Sequence, residues 1–198
     1  MIYRFGACSG SQFQFQARKM YLYTIGHSAH PIEKFISLLN ARHIHVLVDV
    51  RSTPASRWHS QYNKAALQQA LAEHQIEYHF AGQQLGGRPK DPTCYDPEAL
   101  ADKDVKHPRA NFSEIMKREW FVKGIADLVG QINQGRTAIL CSEEEPRRCH
   151  RHELIAQYLS GVHPSIAVQH IRGNGTIVSA VELFETSEKQ LPEQLSFL

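Results

Sequence analysis

The sequence has no apolar run approaching the roughly 20 residues that a membrane-spanning helix requires. Its opening segment, MIYRFGACSGSQFQFQARKM, lacks the continuous apolar core of a secretory signal. Both absences point to a cytoplasmic protein with no membrane partner. Cysteine is scarce: only Cys8, Cys94, Cys141 and Cys149 occur, and no two form a Cys-x-x-Cys pair. Neither a disulfide framework nor a zinc-ribbon pattern is indicated, and in the cytoplasm these thiols are expected to stay reduced. Charge of one sign is not in excess, since 22 basic residues against 20 acidic ones leave +2. That balance argues against a protein that coats nucleic acid, while leaving room for a local basic site. No internal repeat is present.

What is present suits one globular domain. The chain has 198 residues, 42% of them hydrophobic, enough for a real core. Residues 1–19 are polar and without period. They read as a poorly ordered extension that an upstream start codon would explain. Residues 20–185 read as a single α/β domain and residues 186–198 as an exposed tail.

Within the domain, strands alternate with helices. Residues 21–25 form a strand ending at Gly26-His27-Ser28, and Pro31 suits the first position of the helix that follows. The run HVLVDV is apolar throughout, as in a strand buried on both faces of a parallel sheet. KAALQQALAEH reads as an amphipathic helix and IEYHFA as a third strand. Residues 84–111 form a long Gly-, Pro- and charge-rich connection, of a length that marks a lid or binding loop. Residues 112–133 read as one long helix or two, with Phe121, Ile125, Leu128 and Ile132 as the buried stripe. TAILC is the fourth strand, RRCHRHELIAQYL a helix, and the segments around Gly173-Asn174-Gly175 a hairpin with an Asn-Gly type I′ turn. The expected class is therefore α/β: a mostly parallel sheet flanked by helices, a Rossmann-like three-layer single domain.

In such sheets ligands gather beyond the carboxyl ends of the strands. Three strands here end on reactive residues: Gly26-His27-Ser28, then Asp49, Arg51 and Ser52, then Cys141, Ser142 and Glu143. A parallel sheet brings all three ends to one edge. The helix start after Cys141 adds backbone N–H groups that favour anions and lower a nearby thiol pKa. Glu143, nearest the strand end of the three glutamates, is the one expected to reach the crevice. Arg151 falls on the buried face of the following helix, where it either braces the crevice through Asp49 or Glu143 or clamps an anion.

Cys141 has three readings. It is a nucleophile with His27 or His150 as acid–base, a metal ligand together with Cys149 and His150, or a small buried thiol finishing a strand. Against the metal, Cys149 and His150 should point 100° apart on a regular helix. The strand–Cys–loop–helix plan resembles the active loop of rhodaneses and small tyrosine phosphatases. Arg147 stands where the phosphatase arginine belongs, but Glu143, Glu144 and Glu145 would repel a phosphate dianion. Arg57, Trp58, His59 and Tyr62 could stack on a base or sugar, although packing roles are commoner for such residues.

Four motifs in order, YTIGHS, VDVRSTPAS, YHFAGQQLGG and LCSEEEPRRCHRHELIA, resemble the domain of unknown function 488 family along residues 21–160. The resemblance implies an α/β fold with no settled activity. It places the signature on Gly26, His27, Ser28, Asp49, Arg51, Pro54, Gly86, Gly87, Cys141, Glu143, Pro146, Cys149, His150 and Arg151. The tail QLSFL is similar to the Gln-Leu-Ser-Leu-Phe peptide that docks on the bacterial sliding clamp, with its last two residues exchanged. Gln194, Leu195, Phe197 and Leu198 would carry that contact and imply work near DNA replication or repair.

The leading expectation is an enzyme acting on a small anionic or nucleotide-like substrate at the sheet's carboxyl edge. Cys141 or Glu143 would react, His27 or His150 would move protons, and Ser28, Asp49, Arg51, Ser52, Gly86, Gly87 and Arg151 would form the ligand pocket. The alternatives are a non-catalytic adaptor tethered through the tail, and a metal-binding protein using Cys141, Cys149 and His150. Cofactor, substrate and reaction type stay open.

Overall fold

A computed structural model describes residues 19–102, 104 and 108–188. The polar extension before residue 19 and the clamp-like Gln194, Leu195, Phe197 and Leu198 lie outside the described residues. Among the described residues no helix is long and apolar enough to cross a membrane.

The chain alternates as the apolar patterning requires. Strand β1 (Met20–Gly26) leads to α1 (Ile32–Asn40), β2 (Val46–Asp49), α2 (Lys64–Glu73) and β3 (Glu77–Phe80). Short helices α3 (Gly82–Leu85), α4 (Pro97–Ala101) and α5 (Phe112–Ile115) precede the long α6 (Glu119–Gln134). Then come β4 (Thr137–Cys141), a 3-10 turn (Pro146–Arg148), a π-helical segment (Arg151–Ala156), α7 (Gln157–Val162), β5 (Ile166–Ile171), β6 (Ile177–Ser179) and α8 (Ala180–Glu188). Among the described residues six strands form one sheet in the order β3-β2-β4-β1-β5-β6, parallel except for β6 against β5.

Side chains alternate across the sheet, so each strand feeds two cores. Ile25, Leu47 and Leu140 pack with Phe35 and Leu39 of α1 and Leu67 and Leu71 of α2. Leu22, Val46, Val48 and Ile139 pack on the opposite face with Phe121, Ile125 and Leu128 of α6 and with Leu154 and Ile155. Three layers result, as expected. All five β4 side chains are buried, because β4 lies between β2 and β1 with helices on both faces. Burying a leucine or isoleucine of this kind stabilises by about 1.5–3 kcal/mol, which is why the centre of the sheet is rigid ground for the residues at its tip.

Several local readings change. Pro31 precedes α1 rather than opening it. The 84–111 connection holds short helices, two of them capped by Asp91 and Asp96 side chains. Of the two forms left open for the 112–133 segment the divided one is found, because Arg118 is extended between α5 and α6. Its guanidinium reaches Thr93 Oγ1 at 2.7 Å and lies 3.5 Å from Asp91, so a tertiary tie breaks the helix there. The hairpin loop is a three-residue one. Arg172 N–H bonds to Thr176 O, and Gly175 alone takes a positive φ of 87°. That is a type I turn with a left-handed closing glycine in place of the I′ turn.

Candidate functional site

The parallel register sets the site. Gly26 lies opposite Cys141 and Asp49 opposite Leu140, so the tips of β1, β2 and β4 stand side by side. Main-chain bonds continue past the strands: His27 N–H to Cys141 O at 3.0 Å, Ser28 N–H to Ser142 O at 2.9 Å, and Val50 N–H to Leu140 O at 3.1 Å. His27, Asp49 and Cys141 therefore meet at one edge, as the sequence led us to expect.

At the centre of that edge is a Cys-Cys-His cluster. The Sγ atoms of Cys141 and Cys149 and a ring nitrogen of His150 lie within 4.8 Å of one another. His150 Nδ1 is 3.6 Å from Cys141 Sγ and 3.9 Å from Cys149 Sγ. Its other nitrogen, Nε2, meets the Val50 carbonyl at 3.0 Å. A carbonyl only accepts, so Nε2 carries a proton and Nδ1 is the atom turned to the sulfurs.

Adjacent Cys149 and His150 converge because Cys149 is not in a helix. Its φ of −135° and ψ of 138° are extended, and only from His150 does the chain turn helical. The expected 100° divergence is thereby corrected. The turn that follows is widened: the Gln157 N–H reaches back to His152 O, five residues away. Such π segments occur often at functional sites.

Electrostatics divide the two thiols. The Cys149 S–H hydrogen bond, together with the His150 and Arg151 charges, outweighs burial and holds the Cys141 pKa well below the ordinary thiol value. The same bond, burial and the charge on Cys141 push the Cys149 thiol up. Burial disfavours the His150 imidazolium, but the Cys141 charge and hydrogen bond and the Val50 carbonyl prevail and raise its pKa. Of the two thiols Cys141 thus ionises the more readily, and His150 holds a second proton more readily than a free imidazole does.

The two arginines expected to bind an anion are both engaged. Arg51 grips Asp49 through Nε at 2.9 Å and Nη2 at 2.6 Å, and Nη2 also donates to Tyr62 O at 2.8 Å. Tyr78 Oη adds a bond to Asp49 at 2.8 Å. Arg151 is fully buried and donates through Nη1 and Nη2 to the carbonyl oxygens of Glu143 and Glu144. It braces the 143–144 loop through carbonyl oxygens, where Asp49 or Glu143 carboxylate had been the expected partner. Its Nε, also buried, has no partner among the described residues.

A cavity of about 960 Å³ opens in front of the cluster. Cys141, Cys149, His150, Arg51, Ser52, Gly87 and Glu143 all line it. Ser28, Asp49, Gly86 and Arg151 do not; Asp49 and Arg151 hold the wall residues Arg51 and Glu143 from behind. His27 also stays out. It stacks on Tyr62 with centroids 4.1 Å apart, and burial, aided by Arg51 and against its Ser28 carbonyl bond, lowers its pKa to about 4. A neutral packed imidazole fits that position better than an acid–base. Gly86 has an ordinary φ of −72°. A Cβ at Gly86 would come within 2.4 Å of Ser52 Oγ, and one at Gly87 within 2.8 Å of His150 Cγ. The two glycines permit close packing of protein on protein. Trp58 is exposed, and Tyr62 is buried in the core.

Apart from Arg147, which was weighed against the phosphatase loop, the rest of the basic wall was missed from sequence. Arg88, Lys90, Arg109, Arg147 and Arg148 line the cavity with Phe112 and Trp120. Arg109 pairs with Glu153 at 2.6 Å, whereas Arg88, Lys90 and Arg148 enter no ion pair with the described residues. Their basic character was visible, but nothing in their spacing announced convergence. Also missed was a buried chain behind Arg151. Thr24 Oγ1 meets His170 Nδ1 at 2.7 Å, and His170 Nε2 meets His152 Nδ1 at 3.1 Å.

Two thiols and an imidazole at these separations are also three of the four ligands that a thiophilic cation such as zinc takes at about 2.0–2.3 Å. The chemistry open to the site is thus that of a thiolate, with or without a soft metal. No curated protein and no solved structure matches the chain. Residues 31–159, well over half its length, match the model of the family described as domain of unknown function DUF488, in agreement with the motif resemblance, and the chain belongs to that family.

Proposed function

We propose that the protein is a cysteine-centred enzyme acting on a small anionic substrate held in the basic cavity. One observation carries this reading: Cys141 Sγ sits at the tip of a fully buried strand, 3.6 Å from His150 Nδ1, facing a cavity rimmed by Arg88, Lys90 and Arg148. The cavity falls within the size range of small-molecule sites, roughly 300–1,000 Å³. The Cys141 thiolate attacks the electrophilic atom of the bound substrate and forms a covalent bond. The leaving group takes the proton from His150 Nδ1. Arg51 and Asp49 act as positioning residues, fixing the loop that carries the Val50 carbonyl. Glu143, exposed at the mouth, is left without a part in the chemistry.

The test compares two alkylating agents. Iodoacetate is an anion and iodoacetamide is its neutral counterpart. Cys141 is expected to react faster with both than a free thiol does at neutral pH, and to favour iodoacetate more than a free thiol does. Replacing Arg88, Lys90 and Arg148 together by glutamine should remove that preference. Labelling no faster than a free thiol would end the proposal.

A further inference from the structure

The cluster contains one more thiol than a single nucleophile needs. Cys149 is not a distant bystander: its Sγ lies with Cys141 Sγ inside the same 4.8 Å group, both line the cavity, and both approach the same imidazole nitrogen. The three described cysteines are all free, and Cys94 does not line this cavity. Resting on the reading of Cys141 as nucleophile, we infer that Cys149 is its resolving partner and that the pair is a dithiol centre which reduces small anionic disulfides.

The Cys141 thiolate attacks one sulfur of a disulfide RSSR. A Cys141–SR bond forms, the S–S bond breaks, and the departing thiolate takes the His150 Nδ1 proton and leaves as RSH. Cys141 is now a neutral divalent sulfur. The negative charge and the acceptor that kept the proton on Cys149 have gone with it, while the Arg151 charge remains. His150 Nδ1, now unprotonated and 3.9 Å away, takes the Cys149 proton. The Cys149 thiolate attacks Cys141 Sγ, closing Cys141–Cys149 and expelling RS⁻, which His150 protonates. The sum is RSSR plus two hydrogens from the protein giving two RSH and one internal disulfide. A low-molecular-weight thiol, two molecules per turnover, restores the dithiol and is itself oxidised.

Substrate class follows from the wall. Arg88, Lys90 and Arg148 are cationic and exposed around the thiolate, so a disulfide bearing carboxylates is drawn in where a cationic one is repelled. The final S–S bond needs the sulfurs at about 2.05 Å, so each must swing inward from its position in the resting cluster.

Oxidised glutathione, an anionic disulfide, is a suitable probe, with intact-mass measurement and thiol trapping as readouts. The full chain is expected to lose two hydrogens in mass and both Cys141 and Cys149 from alkylation, with little glutathione adduct at any time. Cys149→Ser should instead accumulate a glutathione adduct on Cys141. Its lifetime should exceed that in the unmodified chain by about tenfold or more, since a neighbouring thiol acts at a very high effective concentration. Cys149→Ala, which removes the hydroxyl as well, should give an adduct as long-lived as that of Cys149→Ser but formed more slowly, since it lacks the donor that lowers the Cys141 pKa, and thermal melts verify that both variants are folded. An adduct equally long-lived in the unmodified chain overturns the resolving role while leaving Cys141 a nucleophile. Absence of both adduct and disulfide overturns the inference together with the nucleophile.

Discussion

Gly87 lies against His150 so closely that a Cβ on it would come within 2.8 Å of the ring's Cγ and 3.0 Å of Nδ1. The glycine therefore sets where the imidazole sits, and with it one of the interactions that lower the Cys141 pKa. Gly87→Ala must push His150 away from the sulfurs or shift the loop. The midpoint of Cys141 alkylation rate against pH is expected to move upward, by about one pH unit for each 1.4 kcal/mol of lost charge interaction, with circular dichroism unchanged. An unaltered midpoint would show that His150 does not act on the thiol.

The Cys141 reaction should carry a pH signature of definite sign. With its pKa depressed, the thiolate is present above the folded value and is lost only as pH falls through that value. Alkylation should therefore stay fast well below pH 8.5, about where a free thiol begins to fail. His150→Gln withdraws the imidazolium and should move the midpoint upward, a shift read directly from labelling rate against pH.

Asp49 is buried with Arg51 as its partner and Tyr78 as a second donor. Removing one member of such a pair leaves a buried charge without compensation. Asp49→Ala should lower stability by about 3–5 kcal/mol, whereas Tyr78→Phe should lower it by about 1 kcal/mol. Urea denaturation of both variants makes the comparison; equal losses would mean that the ion pair is unimportant.

Three buried imidazoles predict acid sensitivity. Burial, first among the causes, lowers His27 and His152 to about 4 and His170 to about 2. Their pKa values are depressed in the folded state, so the stability they provide is present above the unfolded value of about 6.5 and drains away as pH falls toward 4. Each adds a slope approaching 1.4 kcal/mol per pH unit in that window. The raised pKa of His150 acts in the opposite sense, and its share is lost only as pH rises through the folded value. His152→Leu should flatten the acid limb by one proton, whatever it does to stability at neutral pH.

The nucleophile and a resident metal compete for the same three atoms. On the proposal made here, protein purified under reducing conditions should hold far less than one equivalent of zinc or iron by elemental analysis. A stoichiometric metal, removed by chelation with a rise in Cys141 labelling, would make the cluster a metal centre and the free thiolate a product of stripping it.

The sheet, its layers and the meeting of strand tips were legible because they follow from short-range pattern. The continuous apolar runs HVLVD and TAILC, the helical stripe Phe121-Ile125-Leu128-Ile132, and turn residues between them leave few ways to bury the chain. The reactive residues at strand ends followed from the same pattern, since a parallel sheet presents all its carboxyl ends together. Family membership was legible for a similar reason: its signature residues occur in order along one chain.

What the tertiary structure alone decided was where side chains point and what they meet. Spacing placed Cys149 on a helix facing away from His150, but its extended backbone turned it back toward Cys141. Arg51 was expected to bind an anion, and Arg151 either to brace the crevice or to clamp one; only the packed chain shows Asp49 as the partner of Arg51 and the Glu143 and Glu144 carbonyls as those of Arg151. Arg88, Lys90 and Arg148, which face the cavity without an ion-pair partner among the described residues, come from segments some sixty residues apart. Local sequence sets periodicity and backbone bias. The partner of a buried charge is set by whichever distant group the packed chain brings within bonding distance, and no one-dimensional pattern records that.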